Sequence, residues 1–283
     1  MNIDDFRCIR RGTSLFALNK RDSSLIGPIN HRNGKRQRAL LLLHGFTSSP
    51  AVFRAMLPYF SFYDAVICPV LPGHGEDLQI FARVKAEAWV TAAEQSCELL
   101  INEFEQVDVL GLSLGGVLAC HLSNCFPIHH LYLLAPALDL RVPLEKTLKL
   151  ARLLNWLGFQ ELRGLGGNLY TDQYYEITYR KLPLTSLIEI FNFIKQFPFV
   201  PPSCPTDVFL GCHDKVVSSW RVATRFSNRE NVAVHWLSNS AHVIPLDGDI
   251  ESVIACMKGS NDIQSTQNKF VELPAFTTTP IES

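Results

Sequence analysis

A serine, an aspartate and a histidine follow one another along this chain, each just after an apolar run, and together they could do nucleophilic chemistry. Ser113 sits in Gly111-Leu112-Ser113-Leu114-Gly115, with a further glycine at Gly116. The run Val107 to Leu110 before it reads as a buried strand. Val117, Leu118, His121 and Leu122 after it fall at helical spacing. Strand, sharp turn and helix are the setting in which G-x-S-x-G becomes a nucleophile elbow. Such a turn forces strained backbone geometry on the serine and leaves room only for glycine beside it. Its Oγ then stands exposed at the top of a sheet, near the positive end of a helix.

A serine hydroxyl attacks only when a base takes its proton, and the base needs a carboxylate to hold its tautomer. Asp214 follows the strand expected at Asp207 to Gly211, and His242 follows the strand expected at Val232 to Leu237. Ser113, Asp214 and His242 therefore share the carboxyl edge of the sheet, where open α/β folds bind ligands. The other candidates are placed less well. His121 is on the elbow helix, His129, His130 and Asp207 are at the wrong ends of strands, and His235 is inside one. His213 adjoins Asp214 but points elsewhere, and Asp247 and Asp249 follow His242 too closely. A helix-capping role is the alternative for Asp214. The oxyanion of an acyl intermediate needs backbone donors. The N–H of Leu114 supplies one and that of Phe46, after the first central strand, the second. His44 and His74, each beside glycine, read as structural.

The elements that must carry these residues alternate. Strands are expected at Ala39 to Leu43, Ala65 to Pro69 and Leu131 to Ala135, and helices at Ala51 to Phe60 and Ala86 to Phe104. That alternation implies an α/β fold with a mostly parallel sheet and helices on both faces. Residues 1–38 form an edge region, with antiparallel strands at Phe6 to Ile9 and Ser14 to Leu18 and a polar turn at Asn30 to Gly34. The alternation pauses over residues 137–204, where amphipathic helices are expected at Leu144 to Trp156 and Leu184 to Phe197. Both carry apolar residues off their main stripe, so each should bury two sides. This insertion reads as a helical cap; thicker core packing is the alternative. A last helix is expected at Ile250 to Lys258. Residues 1–258 make one domain, and the polar, threonine-rich stretch 259–283 reads as a mobile tail.

With 283 residues, 47% of them hydrophobic, the chain can bury one large core. A net charge of -1 gives no electrostatic reason for nucleic acid as a partner. The N-terminus lacks an apolar core, so no signal peptide is expected, and no apolar run reaches the length of a bilayer span. Eight cysteines are scattered without a C-x-x-C pair, which offers no support for zinc or dithiol chemistry and favours a reducing cytoplasm. No metal and no cofactor is expected.

The chain resembles the α/β-hydrolase superfamily, in its small carboxylesterase and monoacylglycerol-lipase branch, from about Leu40 to Lys258. The carriers are Leu42-Leu43-His44-Gly45-Phe46-Thr47, Leu71-Pro72-Gly73-His74-Gly75, Gly111 to Gly116, His213 to Val217 and Ser240 to Asp247. The resemblance implies nucleophile Ser113, acid Asp214, base His242 and oxyanion donors Phe46 and Leu114. It also implies hydrolysis of carboxylic esters through an acyl-enzyme, without metal or cofactor. The expected substrates are small-molecule esters of short- to medium-chain acyl groups, monoacylglycerols among them. A thioesterase or acyltransferase using the same three residues stays open, as does a ligand-binding protein on the hydrolase fold.

Overall fold

The computed structural model describes residues 2–11, 13–20, 22–164 and 166–262. Its strands are β1 (Phe6–Arg10), β2 (Thr13–Ala17), β3 (Ile29–Arg32), β4 (Arg38–Leu43), β5 (Ala65–Cys68), β6 (Gln106–Leu112) and β7 (His130–Leu134). They continue as β8 (Glu161–Arg163), β9 (Glu176–Tyr179), β10 (Lys181–Pro183), β11 (Thr206–Gly211) and β12 (Val232–Leu237). The helices are α1 (Leu78–Phe81), α2 (Ala86–Glu103), α3 (Leu114–Cys125), α4 (Leu144–Trp156), α5 (Leu184–Gln196), α6 (Ser219–Arg225) and α7 (Ile250–Asp262).

The central sheet runs β12-β11-β7-β6-β4-β5-β3. Its pairs are parallel apart from β3, which lies antiparallel along β5 at the edge. The apolar run in β4 is explained by burial on both faces. Leu41 and Leu43 join the core under α2 and α3, and Leu40 and Leu42 join the core under α7. Trp89, Ala93, Cys97 and Leu100 supply the stripe by which α2 packs on the sheet. Val253, Ile254 and Met257 do the same for α7.

The expected alternation is present, and the departures have physical causes. The stretch read as a helix over Ala51 to Phe60 is two short 3-10 turns, Pro50–Phe53 and Leu57–Tyr59. Pro58 cannot donate a helical hydrogen bond, and its ring clashes with the carbonyl four residues earlier. Part of the polar turn read at Asn30 to Gly34 is the edge strand β3, paired Ile29 with Cys68 through Arg32 with Ala65. The two N-terminal strands do pair antiparallel, but they do not edge the main sheet. β1 pairs instead with β9 to form a separate sheet of order β2-β1-β9. α7 continues through Gly259 to Asp262, where the tail was expected to begin, and the rest of that tail lies outside the described residues.

Between β7 and β11 the chain leaves the sheet and returns. This excursion holds both expected helices, α4 and α5, and also β8, β9 and β10. Its helices differ. α5 buries Leu184, Ile190 and Phe191 and packs Ile188 and Phe193 against the core, as a doubly apolar helix should. α4 buries Leu148 and Ala151 but exposes Leu150, Leu153 and Leu157, contrary to expectation. The reason is position: α4 packs on α5 and lies outermost. Lys195 Nζ to Glu145 Oε1 at 3.0 Å and Arg152 Nη2 to Asn192 Oδ1 at 2.9 Å join the two helices.

Candidate active site

Ser113 lies between the end of β6 and the start of α3 with φ 55° and ψ -111°, a strained conformation for a residue with a Cβ. The glycines around it are demanded by contact. A Cβ on Gly111 would come within 2.3 Å of the Gly115 carbonyl oxygen. A Cβ on Gly115 would lie 2.0 Å from the Leu43 carbonyl oxygen. The elbow is pinned by Ser113 N–H donating to the Leu134 carbonyl at 3.0 Å and by Ala137 N–H donating to the Ser113 carbonyl at 3.1 Å.

Three loops at the carboxyl edge bring Ser113, His242 and Asp214 together. His242 Nδ1 lies 2.8 Å from Asp214 Oδ2, and His242 Nε2 lies 3.0 Å from Ser113 Oγ. An ionised carboxylate only accepts, so Nδ1 carries the proton and the lone pair of Nε2 faces the Ser113 hydroxyl. Asp214 is 1% exposed, and its Oδ1 accepts from the N–H groups of Val216 at 2.7 Å and Val217 at 2.8 Å. It therefore shapes its own loop with one oxygen and meets the imidazole with the other. Burial works to lower the His242 pKa. The charge and hydrogen bond of Asp214, then the charge of Glu176, outweigh it and hold the imidazole above its usual value.

Gly45 runs against the elbow, its Cβ position 3.4 Å from Ser113 Cβ, which brings the Phe46 loop alongside the serine. The Phe46 ring packs on Phe81 at 5.3 Å and Trp89 at 5.9 Å between centroids. Leu114 opens α3, where backbone N–H groups lack helical acceptors.

The remaining histidines have separate places. His44 Nε2 accepts from Leu71 N–H at 3.0 Å, so its Nδ1 donates to the Gly45 carbonyl at 3.0 Å. Complete burial pushes His44 down to about 4 and keeps it neutral. It ties the β4 and β5 loops together. His74 packs edge-on against it at 5.0 Å. His213 turns away from Asp214, stacks on Tyr170 at 3.7 Å and meets the Ser238 carbonyl at 3.0 Å. His129, His130 and His235 lie at the amino edge, each against a buried carboxylate, Asp108 or Asp207.

Several residues in this region were given no structural role from sequence: Asn168, Glu176 and Thr178 were not named, and Asp247 was set aside as too close to His242. Asn168, within the excursion, accepts from His242 N–H at 3.1 Å and Val243 N–H at 3.2 Å through its carbonyl. Its Oδ1 accepts from Lys215 N–H at 2.9 Å, so one residue ties the histidine loop to the aspartate loop. Asp247 gathers the N–H groups of Ala241, Tyr170 and Thr171, each at 2.8 Å. Glu176 on β9 is buried, accepts from Gly167 N–H at 2.6 Å and contributes to the field at His242. Thr178 Oγ1 donates to the Thr47 carbonyl at 3.1 Å and so reaches the Phe46 loop. No local signal marks Asn168 or Thr178, because their partners lie 47 or more residues away along the chain, whereas Asp247 and Glu176 each also hold an N–H within nine residues.

Two groups of possible metal ligands occur among the described residues, Glu94–His121–Cys125 and Asp207–His235–Cys256. Neither includes a residue of the Ser113 site. No helix among the described residues is long and apolar enough to cross a membrane.

A parallel sheet that carries a strained serine on its elbow, with histidine and aspartate loops at the same edge, defines a hydrolase-type α/β protein. The model of the alpha/beta hydrolase family matches residues 40–253, and the chain belongs to that family. It is 28% identical over 226 residues to a thermostable monoacylglycerol lipase of Bacillus sp. (strain H-257), covering 76% of this chain and 86% of the relative. It is 25% identical over 236 residues to a carboxylesterase of Bacillus subtilis (strain 168), covering 80% and 92%. A solved structure from the metagenome-derived lipolytic enzymes LipS and LipT superposes with a TM-score of 0.75 at 23% identity. That match covers 83% of this chain and 96% of the other.

Proposed function

We propose that this protein is a serine hydrolase of carboxylic esters with short- to medium-chain acyl groups, monoacylglycerols among them. The observation that carries the reading is the line from Ser113 Oγ through both ring nitrogens of His242 to Asp214, with each link within 3.0 Å. The two Bacillus relatives, named as a monoacylglycerol lipase and a carboxylesterase, support the ester class.

In this reading His242 Nε2 takes the Ser113 proton as Oγ attacks the ester carbonyl carbon. The backbone N–H groups of Phe46 and Leu114 receive the developing oxyanion. The tetrahedral species collapses, the alcohol leaves with the proton from His242, and the acyl group remains on Ser113. Water then attacks with His242 again as base, and the acid departs. Asp214 stays ionised and stabilises the imidazolium through both half-reactions. The excursion between β7 and β11 acts as the cap that shapes the acyl site, because it contributes Asn168 and Glu176 to the surroundings of His242. Eight free cysteines suit a reducing compartment such as the cytoplasm.

The test is intact-protein mass after fluorophosphonate treatment, together with hydrolysis of p-nitrophenyl esters of increasing chain length. One adduct, on Ser113, with turnover peaking at one chain length is the expected result. A folded protein that forms no adduct would end the proposal.

A further inference from the structure

His121 and Cys125 stand one turn apart on α3, and Glu94 faces them from α2. His121 Nε2 is 2.7 Å from Glu94 Oε1 and 3.7 Å from Cys125 Sγ. The carboxylate and the thiol thus meet the same ring nitrogen. A proton relay divides its partners between the two nitrogens, as His242 does. Here three donor atoms of different classes converge on one point, all within 4.8 Å of one another.

We propose that Glu94, His121 and Cys125 form a binding site for a divalent transition metal of the zinc type, clamping α2 to the C-terminal end of α3. Imidazole, thiolate and carboxylate are ligands that zinc accepts, and three of them leave a fourth position for water. Tetrahedral zinc holds N and S ligands about 3.6 Å apart and N and O ligands about 3.4 Å apart. The thiol is already at that spacing, and Glu94 needs only to open its hydrogen bond. The side chains of His121 and Glu94 are about one-third exposed and Cys125 is exposed, so an ion can enter. An exposed histidine–carboxylate pair contributes little by itself, so metal displaces a weak contact. Cys125 is the last residue of α3, where the helix dipole favours a cation. Binding releases the Cys125 proton to solvent, while the imidazole coordinates through neutral Nε2 with its proton on Nδ1. No electron is transferred.

The Asp207–His235–Cys256 group converges in a similar way, with His235 Nε2 2.6 Å from Asp207 Oδ1 and 3.7 Å from Cys256 Sγ. It is the weaker host. Asp207 is buried and already serves His130 at 2.7 Å, so a metal would have to break buried hydrogen bonds.

The experiment titrates the chelator-stripped, reduced full chain with Co2+, reads the thiolate-to-cobalt charge-transfer band, and then displaces Co2+ with Zn2+. One equivalent is expected to bind, with a rise in Tm. Cys125→Ser should abolish the band, and His121→Ala should weaken binding by more than about 100-fold, beyond the loss of an outer partner. Cys256→Ser and Cys212→Ser should keep the band, and Cys125→Ser should keep its ester turnover and its unliganded Tm. Glu94→Gln supplies a second variant that keeps all eight cysteines; it should weaken binding while the band persists at saturation. Absence of stoichiometric binding, a band that survives Cys125→Ser, or one that disappears only with Cys256→Ser would overturn the assignment. None of these outcomes bears on Ser113, so this proposal and the ester-hydrolase proposal fail separately.

Discussion

The two ends of the central sheet use the same residue types differently. At the carboxyl edge His242 gives Nδ1 to Asp214 and Nε2 to Ser113, and the serine sits at φ 55°. At the amino edge His130 and His235 both bring Nε2 to Asp207, at 2.7 Å and 2.6 Å. Close by, Asp108 is completely buried and takes Arg38, the Tyr63 hydroxyl at 2.6 Å and His129 at 2.8 Å. The amino edge satisfies its carboxylates from several sides on relaxed strands. The carboxyl edge leaves a strained hydroxyl in line with a basic nitrogen. Histidine beside aspartate is therefore not a sign of chemistry by itself. What differs is whether the second ring nitrogen is aimed at a group that can react.

The largest expected effect breaks the comparison at its centre. Ser113→Ala should lower kcat for p-nitrophenyl esters by about 10^6-fold, the scale at which removal of a serine nucleophile acts, and leave Tm nearly unchanged. Asp214→Asn comes next. It should lower kcat by about 10^4-fold, because the amide cannot hold His242 in the tautomer that faces Ser113. Retained activity in either variant would place the chemistry elsewhere.

At the amino edge the expectation reverses. Asp207→Ala should cost about 3 kcal/mol of stability in denaturant unfolding, the scale for breaking a buried ionic pair, with kcat near wild type. Burial opposes the Asp207 charge, but the hydrogen bonds and charges of His130 and His235 outweigh it and hold its carboxyl well below the usual range. A depressed folded-state pKa gives stability that is present above the unfolded carboxylate value and lost as pH falls toward the folded value. The variant should therefore lose less stability on acidification than the parent. Loss of turnover in a folded Asp207→Ala protein would erase the distinction between the edges.

The smallest effect sharpens it. In the proposed mechanism His242 must be neutral to act as base, so kcat/KM should fall as pH drops through a midpoint above the ordinary imidazole value. Glu176, where ionised, helps raise this midpoint after Asp214, while burial pushes its own carboxyl above the usual range, so Glu176→Gln removes a contribution smaller than that of Asp214. The acidic limb should move to lower pH while the plateau kcat holds. A plateau loss with an unmoved midpoint would show that Glu176 acts through packing of β9 instead.

Much of the arrangement was legible where neighbours in sequence are neighbours in space. The β6–Ser113–α3 turn is local, and the glycines that permit it lie within three residues of the serine. The continuous apolar run of β4 announced a strand covered on both faces. Stripes at helical spacing located α4 with its bounds intact and α5 to within one residue. Chain order and strand ends then placed Asp214 and His242 on the right edge. Pro58 carries a local signal against a continuous helix through Ala51 to Phe60, where the chain forms two 3-10 turns instead.

Other features had no local signal. The pairing of β1 with β9 joins segments about 170 residues apart, and short strands such as β8 and β10 hold no pattern of their own. The exposure of α4 follows from its outer place against α5, since an apolar stripe records what a helix can bury and not what is beside it. Asn168, Glu176 and Thr178 reach the site from the excursion through contacts that spacing does not encode. The convergence of Glu94 with His121 and Cys125 depends on how α2 packs against α3. The sequence by itself determined the strained elbow, the alternating layers and the edge that carries Ser113, Asp214 and His242, because these follow from backbone sterics and the periodic burial of apolar side chains. Only the tertiary structure decided which histidines meet which carboxylates, and through which ring nitrogen, because those contacts depend on the relative placement of elements far apart in the chain.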